Sequence, residues 1–465
     1  MKKRVIFIVV TALLCCLLVA CGSKTRLQAP QNIRQNGPFL IWDEVKNAEG
    51  YIVLADNEEY VTAEPSCNLS FLGGETVYVV KIKAVGDGEN FADSDWSEFG
   101  FNEIFKYTLL ADGSGYEVNL SVSSVELQDR KVVVPSTYEN LPVTRIADKM
   151  FYKCASLTEV VLPNTLKEIG ANAFYNCKAL TSIDLPSSVT AIGSGAFSGC
   201  SSLKKLIVPT GIEQIENLTF EGCASLTEVV LPNTLEAIGA SSFWNCSALE
   251  SIELPESVTA IGSSAFSGCL SLKKIVVPDG IERIEGNMFG DCTSLTEVVL
   301  PSTLKEIRGM AFLGCIVLEN IELPESVTAI GSIAFGGCSS LKKIVVPTGV
   351  ERIEGSTFVG CSNLTEVVLP STLKEIMGMA FRNCEALKTV VLPSSLKDIG
   401  KGAFSNCPLE SVFFGGTEAE YLSVSVAEGN DSILSAAVYF YSETEPTENP
   451  QKFWRYSGGK PLPWA

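Results

Sequence analysis

The sequence predicts a mainly β chain in which a small antiparallel β-sandwich precedes a solenoid of about twelve coils of 23 residues. Two observations predict the solenoid: twelve cysteines recur every 23 residues from Cys154 to Cys407, and prolines keep the same interval from Pro163 to Pro393. A third observation predicts the sandwich. Residues 30–98 contain short segments of alternating apolar and polar residues, separated by turn signals.

The composition limits the chemistry that the chain can perform. Its 465 residues are 46% hydrophobic, which is enough for packed cores, and they include no histidine. Without histidine the chain lacks the usual base of Ser/His and Cys/His nucleophile pairs and the imidazole ligands of many zinc sites. The formal net charge of −19 argues against nucleic acid, whose phosphates require a surplus of Lys and Arg. We therefore expect no enzyme, no cofactor, no metal site and no small-molecule substrate.

The N-terminus predicts export and a lipid anchor. Three basic residues precede an apolar run that ends at residue 20, as in a secretory signal peptide. This run is shorter than the about 20 apolar residues of a transmembrane helix. The string LVACG at 18–22 resembles a bacterial lipobox, which implies cleavage after residue 20 and acylation of Cys21. We expect a lipoprotein signal peptide at 1–20 and an anchor and linker at 21–29. A plain signal peptide or an uncleaved anchor is the alternative.

Residues 30–98 have the spacing of a small sandwich. Segments such as FLIW at 39–42 and VYVVKIKA at 77–84 are typical of strands that bury one face. The order LIWDEVKNAEGYIVL, YVVKIKAV and SDWSE resembles a fibronectin type III domain, with Trp42 as the core tryptophan and Tyr78 on a later strand. The resemblance implies a spacer or protein-binding module.

One 23-residue repeat is CASLTEVVLPNTLKEIGANAFYN at 154–176. Its LTEVVL part predicts a strand that points Val160 and Leu162 inward and Glu159 and Val161 outward. The next residue, a proline, ends the strand because it has no N–H for the ladder. We expect the chain to return as a short second strand and a helical turn whose phenylalanine fills the interior. One coil cannot bury its own apolar side, so the coils must stack about 4.8 Å apart.

The coils also recur in groups of three. Related strings return every 69 residues, as NTLKEIG at 164, NTLEAIG at 233, STLKEIR at 302 and STLKEIM at 371. SVTAIG coils and G[IV]ExIE coils lie between them. The array therefore grew by duplication of three coils at a time.

The repeat resembles the BspA-like leucine-rich-repeat family of bacterial surface proteins over about residues 131–414. The flanks are similar as well, since VVVPSTYENLPVTRIADKMF looks like the family's N-terminal cap and VYFYSETEPTENPQKFWRYSGGKPLPW like its aromatic C-terminal segment. We expect a cap at 99–153, the solenoid at 154–414 and a C-terminal cap with an aromatic tail at 415–465. The resemblance implies attachment and protein binding at the cell surface, with no catalytic residues.

The repeat cysteines allow three interpretations. An exported protein with an even number of cysteines can form disulfides. Equivalent positions in stacked coils hold Cβ atoms about 4.8 Å apart, however, whereas a disulfide requires about 3.8 Å. We favour a buried column of free thiols that pack as small apolar groups. A metal ladder is the third possibility, although one ligand per coil in a line does not build a tetrahedron. We expect Cys67 in the core of the sandwich.

Outward positions on the main strands predict the recognition face, because repeats present side chains in columns on a concave face. In one column Lys and Glu alternate with the three-coil period, and in the next β-branched residues lie between acids. The candidate face consists of Glu159, Val161, Asp184, Lys205, Ile207, Glu228, Glu253, Lys274, Val276, Glu297, Glu322, Lys343, Val345 and Glu366. Two interpretations stay open. The charges either neutralise each other and keep the sheet soluble, or they set the register of an extended protein partner.

The predicted function is that of a lipid-anchored, non-enzymatic protein on the bacterial cell surface. It binds a protein or glycan through the solenoid, as an adhesin does, and contacts the membrane only through its lipid. The alternative is a surface-coat protein that self-associates or binds cell-wall polysaccharide. An enzyme whose chemistry lies after residue 417 is a third hypothesis. The acids Asp184 and Glu253 do not predict a glycosidase, since they recur in every third coil instead of converging on one cleft.

Overall fold

The computed structural model describes residues 24–36, 39–55, 58–68, 79–100, 105–121 and 131–464. The predicted signal peptide, Cys21 and Tyr78 lie outside these residues. The chain divides into two compact units, residues 1–101 and 102–465. No helix in the described part of the chain is long and apolar enough to cross a membrane.

The first unit contains two antiparallel sheets. One has four strands and the other has three, and a short parallel pair joins residues 25–26 to 91–92. The four-stranded sheet consists of Gly50–Ala55, Glu58–Thr62, Val79–Val85 and Ser97–Gly100. The three-stranded sheet consists of Arg34–Asn36, Phe39–Ile41 and Ser66–Asn68. The remaining two strands are Thr25–Arg26 and Phe91–Ala92.

Both sheets contribute to one buried core, as a sandwich requires. Leu40 and Cys67 come from the three-stranded sheet, and Val53 and Ile82 from the four-stranded sheet. Trp42 is 3% exposed, and its ring packs edge-on against that of Tyr51, with the centroids 5.2 Å apart. The core positions of Trp42 and Cys67 are therefore confirmed, whereas the resemblance to a fibronectin type III domain stays a prediction.

The second unit is the predicted solenoid, with parallel strands in two positions of each coil. The main strands are Lys131–Val133, Glu159–Val161, Lys205–Ile207, Glu228–Val230, Lys274–Val276, Glu297–Val299, Lys343–Val345, Glu366–Val368, Thr389–Leu392, Ser411–Phe414 and Ala437–Tyr441. The second strands are Leu141–Ile146, Glu168–Ile169, Ala191–Ile192, Gln214–Ile215, Ala237–Ile238, Ala260–Ile261, Arg283–Ile284, Glu306–Ile307, Ala329–Ile330, Arg352–Ile353, Glu375–Ile376, Asp398–Ile399 and Ser425–Val426.

The solenoid has about fourteen turns instead of the predicted twelve. The additional turns lie beyond the cysteine repeat, where the spacing changes. Lys131 pairs with Glu159 and Ser411 pairs with Ala437, so the offsets are 28 and 26 residues instead of 23. Counting cysteines therefore missed turns that carry the strands without the cysteine.

The main strands do not form the continuous ladder that the repeat predicts. Up to residue 368 they pair two by two, as 205–207 with 228–230, 274–276 with 297–299 and 343–345 with 366–368, whereas 389–392, 411–414 and 437–441 form one continuous ladder. The coils between these pairs carry Asp184 and Glu322, and neither acid lies on a strand. Glu253 is also outside any strand, although Ser251 forms an isolated bridge to Lys274. The prediction that these acids lie on main strands is wrong. In these coils an acid replaces the Val or Ile that ends the other main strands up to residue 368, and Asp and Glu form strands less readily than β-branched residues, which accounts for the interruption.

Two buried columns fill the coils. Twelve phenylalanine rings stack without interruption from Phe151 to Phe404, with centroids 5.1–5.8 Å apart. The twelve repeat cysteines are free and buried, as the packing argument predicts. Eleven of their thiols, from Cys177 to Cys407, donate to the phenylalanine carbonyl of the preceding coil, as Cys269 Sγ does to Phe243 O at 3.3 Å.

Among the described residues, antiparallel hairpins cover the first end of the second-strand ladder and the last end of the main-strand ladder. At the first turn, Phe105–Leu109 pairs with Tyr116–Leu120, and Thr137–Tyr138 pairs with the strand that begins at Leu141. At the last turn, Phe453–Ser457 pairs with Lys460–Pro463. The helices Glu418–Leu422 and Asp431–Ser435 and the 3₁₀ turn Pro450–Lys452 connect the final strands.

The outer strand of the C-terminal hairpin contains two prolines, and neither has a backbone N–H to donate. Trp464 N–H donates to Phe453 O at 2.9 Å. In the alternating antiparallel pattern Lys460 and Leu462 therefore also face the hairpin, while Pro461 and Pro463 face the open side. Proline has no N–H, so this edge resists addition of another strand.

Candidate interaction face

The fourteen predicted face residues are all exposed on one side of the coils. We call this surface the main-strand face; it is formed by the outward side chains of the segment that precedes each coil proline. The inward neighbours are buried, apart from the half-buried Val298, and Val160 is only 5% exposed. This alternation follows from the pleat of a strand, which sends successive side chains to opposite faces.

Three apolar pairs stand out on the main-strand face. Ile207, Val276 and Val345 are 56%, 45% and 42% exposed. Each lies in register beside an exposed valine of the next coil, namely Val230, Val299 and Val368. The predicted set omitted these three partners, although the 23-residue spacing placed them in the same column. Each pair presents a β-branched surface two coils wide.

An ion pair accompanies each apolar pair. The ammonium groups of Lys205, Lys274 and Lys343 each lie 2.7 Å from the carboxylate of the glutamate one coil later. At the start of the face Lys131 binds Glu159 at 3.0 Å. All these side chains are about half exposed, and such surface pairs contribute about 0–1 kcal/mol to stability. They neutralise local charge more than they hold the fold.

The acids of the intervening coils have no such partner. Asp184, Glu253 and Glu322 are exposed, and across the described residues no Lys or Arg lies within ion-pair distance of them. They recur every three coils, which corresponds to about 14 Å at the spacing of stacked strands. The main-strand face thus repeats one unit three times: an unpaired acid, a neutral ion pair and a β-branched pair.

Aromatic residues cover the C-terminal end of the face. Phe413 and Tyr439 continue the outward column and stack at 5.2 Å, but Phe413 is only 5% exposed and the neighbouring Trp454 only 1%. Trp454 meets Phe413 at 5.6 Å and Tyr441 at 5.1 Å, and its indole N–H donates to a backbone carbonyl at 2.9 Å. Tyr456 adds a ring that is 56% exposed. The sequence identified the aromatic tail but did not place these rings at the end of the predicted face.

A shallow groove of about 790 Å³ lies on the second-strand side. It forms because Ala329 stands where the flanking coils carry Glu306 and Arg352. The guanidinium groups at its sides are already paired, since Arg308 lies 2.9 Å from Glu285 and Arg352 lies 2.5 Å from a glutamate of the following coil. In the described part of the chain no cluster of His, Cys, Asp and Glu could hold a metal ion.

Eleven of the twelve repeat thiols are not activated; the exception is Cys407, whose pKa is lowered by its hydrogen bond with Cys384. Burial raises the pKa of Cys200 and Cys292 to about 12 and that of Cys154 to about 11. A thiol must ionise to act as a nucleophile, so these groups stay protonated and inert near neutral pH. Burial likewise raises the pKa of Cys67 to about 11.

The comparisons with known proteins agree on the solenoid. A family model for the BspA type leucine rich repeat region matches residues 136–247, 213–319, 259–388 and 306–425, which together span more than half of the chain. None of the curated proteins is significantly similar to it.

Several solved structures are similar. A leucine-rich repeat protein from Bacteroides ovatus is 27% identical, with a TM-score of 0.45, over 74% of this chain and 99% of that one. A leucine rich cell surface protein from Faecalibacterium prausnitzii is 25% identical, with a TM-score of 0.45, over 71% and 98%. The pneumococcal vaccine antigen PcpA is 18% identical, with a TM-score of 0.40, over 70% and 96%.

Leucine-rich-repeat surface proteins generally take part in protein interactions and serve as scaffolds. The family model covers all fourteen predicted residues of the main-strand face, from Glu159 to Glu366. The chain therefore belongs to the BspA-type leucine-rich-repeat proteins.

Proposed function

We propose that this protein is a cell-surface lipoprotein, anchored through Cys21, whose main-strand face binds an extended protein partner. The observation that carries the proposal is the threefold repetition of an unpaired acid beside an exposed β-branched pair. If the charges of the face served only solubility, six exposed Ile and Val side chains at fixed positions would have no purpose. The role that we infer is adhesive and non-enzymatic.

The size of the apolar pairs predicts how the face binds. Full burial of a Val or Ile side chain is worth about 1.5–3 kcal/mol, and these side chains are roughly half exposed, so each has about 1 kcal/mol left to contribute. Six of them give about 6 kcal/mol. Association costs about 4–15 kcal/mol in lost freedom. One pair is therefore too weak alone, and the partner must contact all three.

The acids define the partner's chemistry. Among the described residues Asp184, Glu253 and Glu322 have no ion-pair partner. A partner that presents Lys or Arg groups about 14 Å apart would form an ion pair with each of them. Between these cations the partner presents apolar side chains to the β-branched pairs. An elongated, basic protein surface has this pattern, whereas a neutral polysaccharide has no charge to offer.

Affinity capture with the full chain tests the face. We expect Val276→Ser with Val299→Ser, which removes one of three pairs, to weaken binding of the captured partner about 30-fold, because about 2 kcal/mol is lost. The matched control is Leu270→Ser with Ile316→Ser, two residues that are each 44% exposed and lie off the face. Equal binding by both variants would overturn the proposal.

A second set of variants tests the charges. Asp184→Asn, Glu253→Gln and Glu322→Gln together should weaken binding and reduce its dependence on salt. The control neutralises Glu236, Glu282 and Glu351, which lie between the main and second strands of their coils. A partner that is a second copy of this chain, seen as concentration-dependent self-association lost in the same variants, would favour the surface-coat function instead.

The anchor is tested separately. The exported wild-type chain should partition into the detergent phase of a Triton X-114 extract, and Cys21→Ser should move it to the aqueous phase, because the acyl chains supply the membrane affinity. If both chains partition alike, the lipid anchor is wrong and the binding face is unaffected.

A further inference from the structure

A cluster of lysines and tyrosines lies at the start of the solenoid, away from the main-strand face. The rings of Tyr152 and Tyr175, in adjacent coils, stack at 4.9 Å with an interplanar angle of 11°. The ammonium of Lys153 lies 5.1 Å from the centroid of the Tyr152 ring, and that of Lys149 lies 6.0 Å from it. Lys178 is exposed on the second coil. We call these five residues the lysine–tyrosine patch.

The patch is positive although the chain carries a net charge of −19. In the described part of the chain no carboxylate lies within ion-pair distance of its three lysines. Arg145 forms ion pairs with the nearby acids, namely Glu117, Asp148 at 3.0 Å and Glu168 at 2.9 Å. The lysines are therefore left without counter-charge, and two of them share one ring.

Two of these lysines, Lys149 and Lys153, have a positive φ, and Lys153 is exceptional among the equivalent positions of the repeat. Lys153 has a φ of 62°, in the left-handed region that non-glycine residues rarely adopt. The equivalent positions of the following coils are all Asn, Asp or Gly, namely Asn176, Gly199, Gly222, Asn245, Gly268, Asp291, Gly314, Gly337, Gly360, Asn383 and Asn406. These residues tolerate this conformation best. A lysine kept in their place retains strain that the fold does not require, which is typical of functional positions.

We propose that the lysine–tyrosine patch binds a polyanionic glycan. Sulfate or phosphate groups of the glycan pair with the ammonium groups, and a sugar ring lies with its apolar face against the stacked phenol rings. The ligand must be a thin chain with separated anions. A duplex or a membrane would bring a broad negative surface against the acidic remainder of the chain. This site is independent of the proposed protein-binding face.

Dextran sulfate and unsulfated dextran provide matched probes for the full chain. We expect retention on immobilised dextran sulfate that weakens as salt rises, and none on dextran. Lys149→Gln with Lys153→Asn should reduce the affinity at least about tenfold, as expected for the loss of two anion contacts. Asn suits the left-handed position, so this variant should melt no lower than the wild type. Tyr152→Leu should also weaken retention.

The controls separate this site from general charge and from the main-strand face. Lys305→Gln with Lys397→Gln removes two exposed lysines elsewhere and should leave retention unchanged. The Val276→Ser and Val299→Ser variant should also bind dextran sulfate normally. Equal affinity of the Lys149 and Lys153 variant, retention on neutral dextran, or tighter binding of single-stranded DNA than of dextran sulfate would each overturn the proposal.

Discussion

Replacing one ring of the phenylalanine stack should open the solenoid locally. Phe266 is fully buried and lies between Phe243 at 5.4 Å and Phe289 at 5.8 Å. A buried Phe→Ala change costs about 3–5 kcal/mol, and the loss of contacts on both sides places Phe266→Ala in the upper part of that range. Phe404 has a ring on one side only, at 5.2 Å from Phe381, so Phe404→Ala should cost about 1 kcal/mol less.

The cysteine column reports this opening coil by coil. Each repeat cysteine is buried three residues after its phenylalanine, so a thiol reagent reaches it only when the coil opens. If the coil opens locally, a loss of about 4 kcal/mol raises the labelling rate about a thousandfold. We expect Phe266→Ala to increase maleimide labelling at Cys269, Cys246 and Cys292, as measured by peptide mass spectrometry. Cys407 should be affected least.

The pattern of labelling decides whether this reasoning holds. A solenoid is stabilised by nearest-neighbour contacts, so the effect must decrease with distance from the altered coil. Uniform acceleration at all twelve cysteines would show that the array unfolds as one unit. An increase below tenfold at Cys269 would show that the ring stack contributes little. Phe266→Leu serves as the milder control, because it keeps most of the buried volume.

Three further outcomes follow from the buried columns and the covered edge. Thiol titration of the denatured, non-reduced chain should find all twelve repeat cysteines and Cys67 reactive; well under that number would contradict the free-thiol column, unless oxidation during handling were shown. Above pH about 9 the solenoid should lose stability steeply in urea titrations, because thiols ionise in the unfolded chain while burial keeps their pKa raised in the folded chain. The free energy of unfolding should fall by about 1.4 kcal/mol per thiol per pH unit. Alanine at Cys223, Cys246 and Cys269 should reduce this slope by about a quarter, and an unchanged slope would refute the assignment. Pro461→Val with Pro463→Val should restore N–H donors to the last edge and cause self-association in sedimentation velocity, whereas Leu462→Val should not.

The interior of the coils was predictable because its residues obey a strict period. Once Cys154 and Cys407 fixed the 23-residue interval, the inward position of Val160 and the stacking of the phenylalanines followed from the alternation of a strand and the need to bury one side. The ends were not predictable in this way. The turns at Lys131 and Ala437 keep their strands but change the spacing to 28 and 26 residues, so a search for a fixed period stops before them.

The interaction face was predictable as a list of outward residues but not as a pattern of contacts. The column of Lys205 and Glu228 indicated opposite charges one coil apart. The parallel register places these two residues side by side, so that they form an ion pair. The same column gave no sign that the ladder stops at the coils of Asp184, Glu253 and Glu322, because a repeat written residue by residue contains no hydrogen bonds. These coils combine the weakest strand formers with the unpaired acids. The three-coil period therefore sets both the unbalanced charge of the face and the points where its sheet is interrupted. A partner that pairs with the unpaired acids must also fit the shape of the face where the sheet is interrupted.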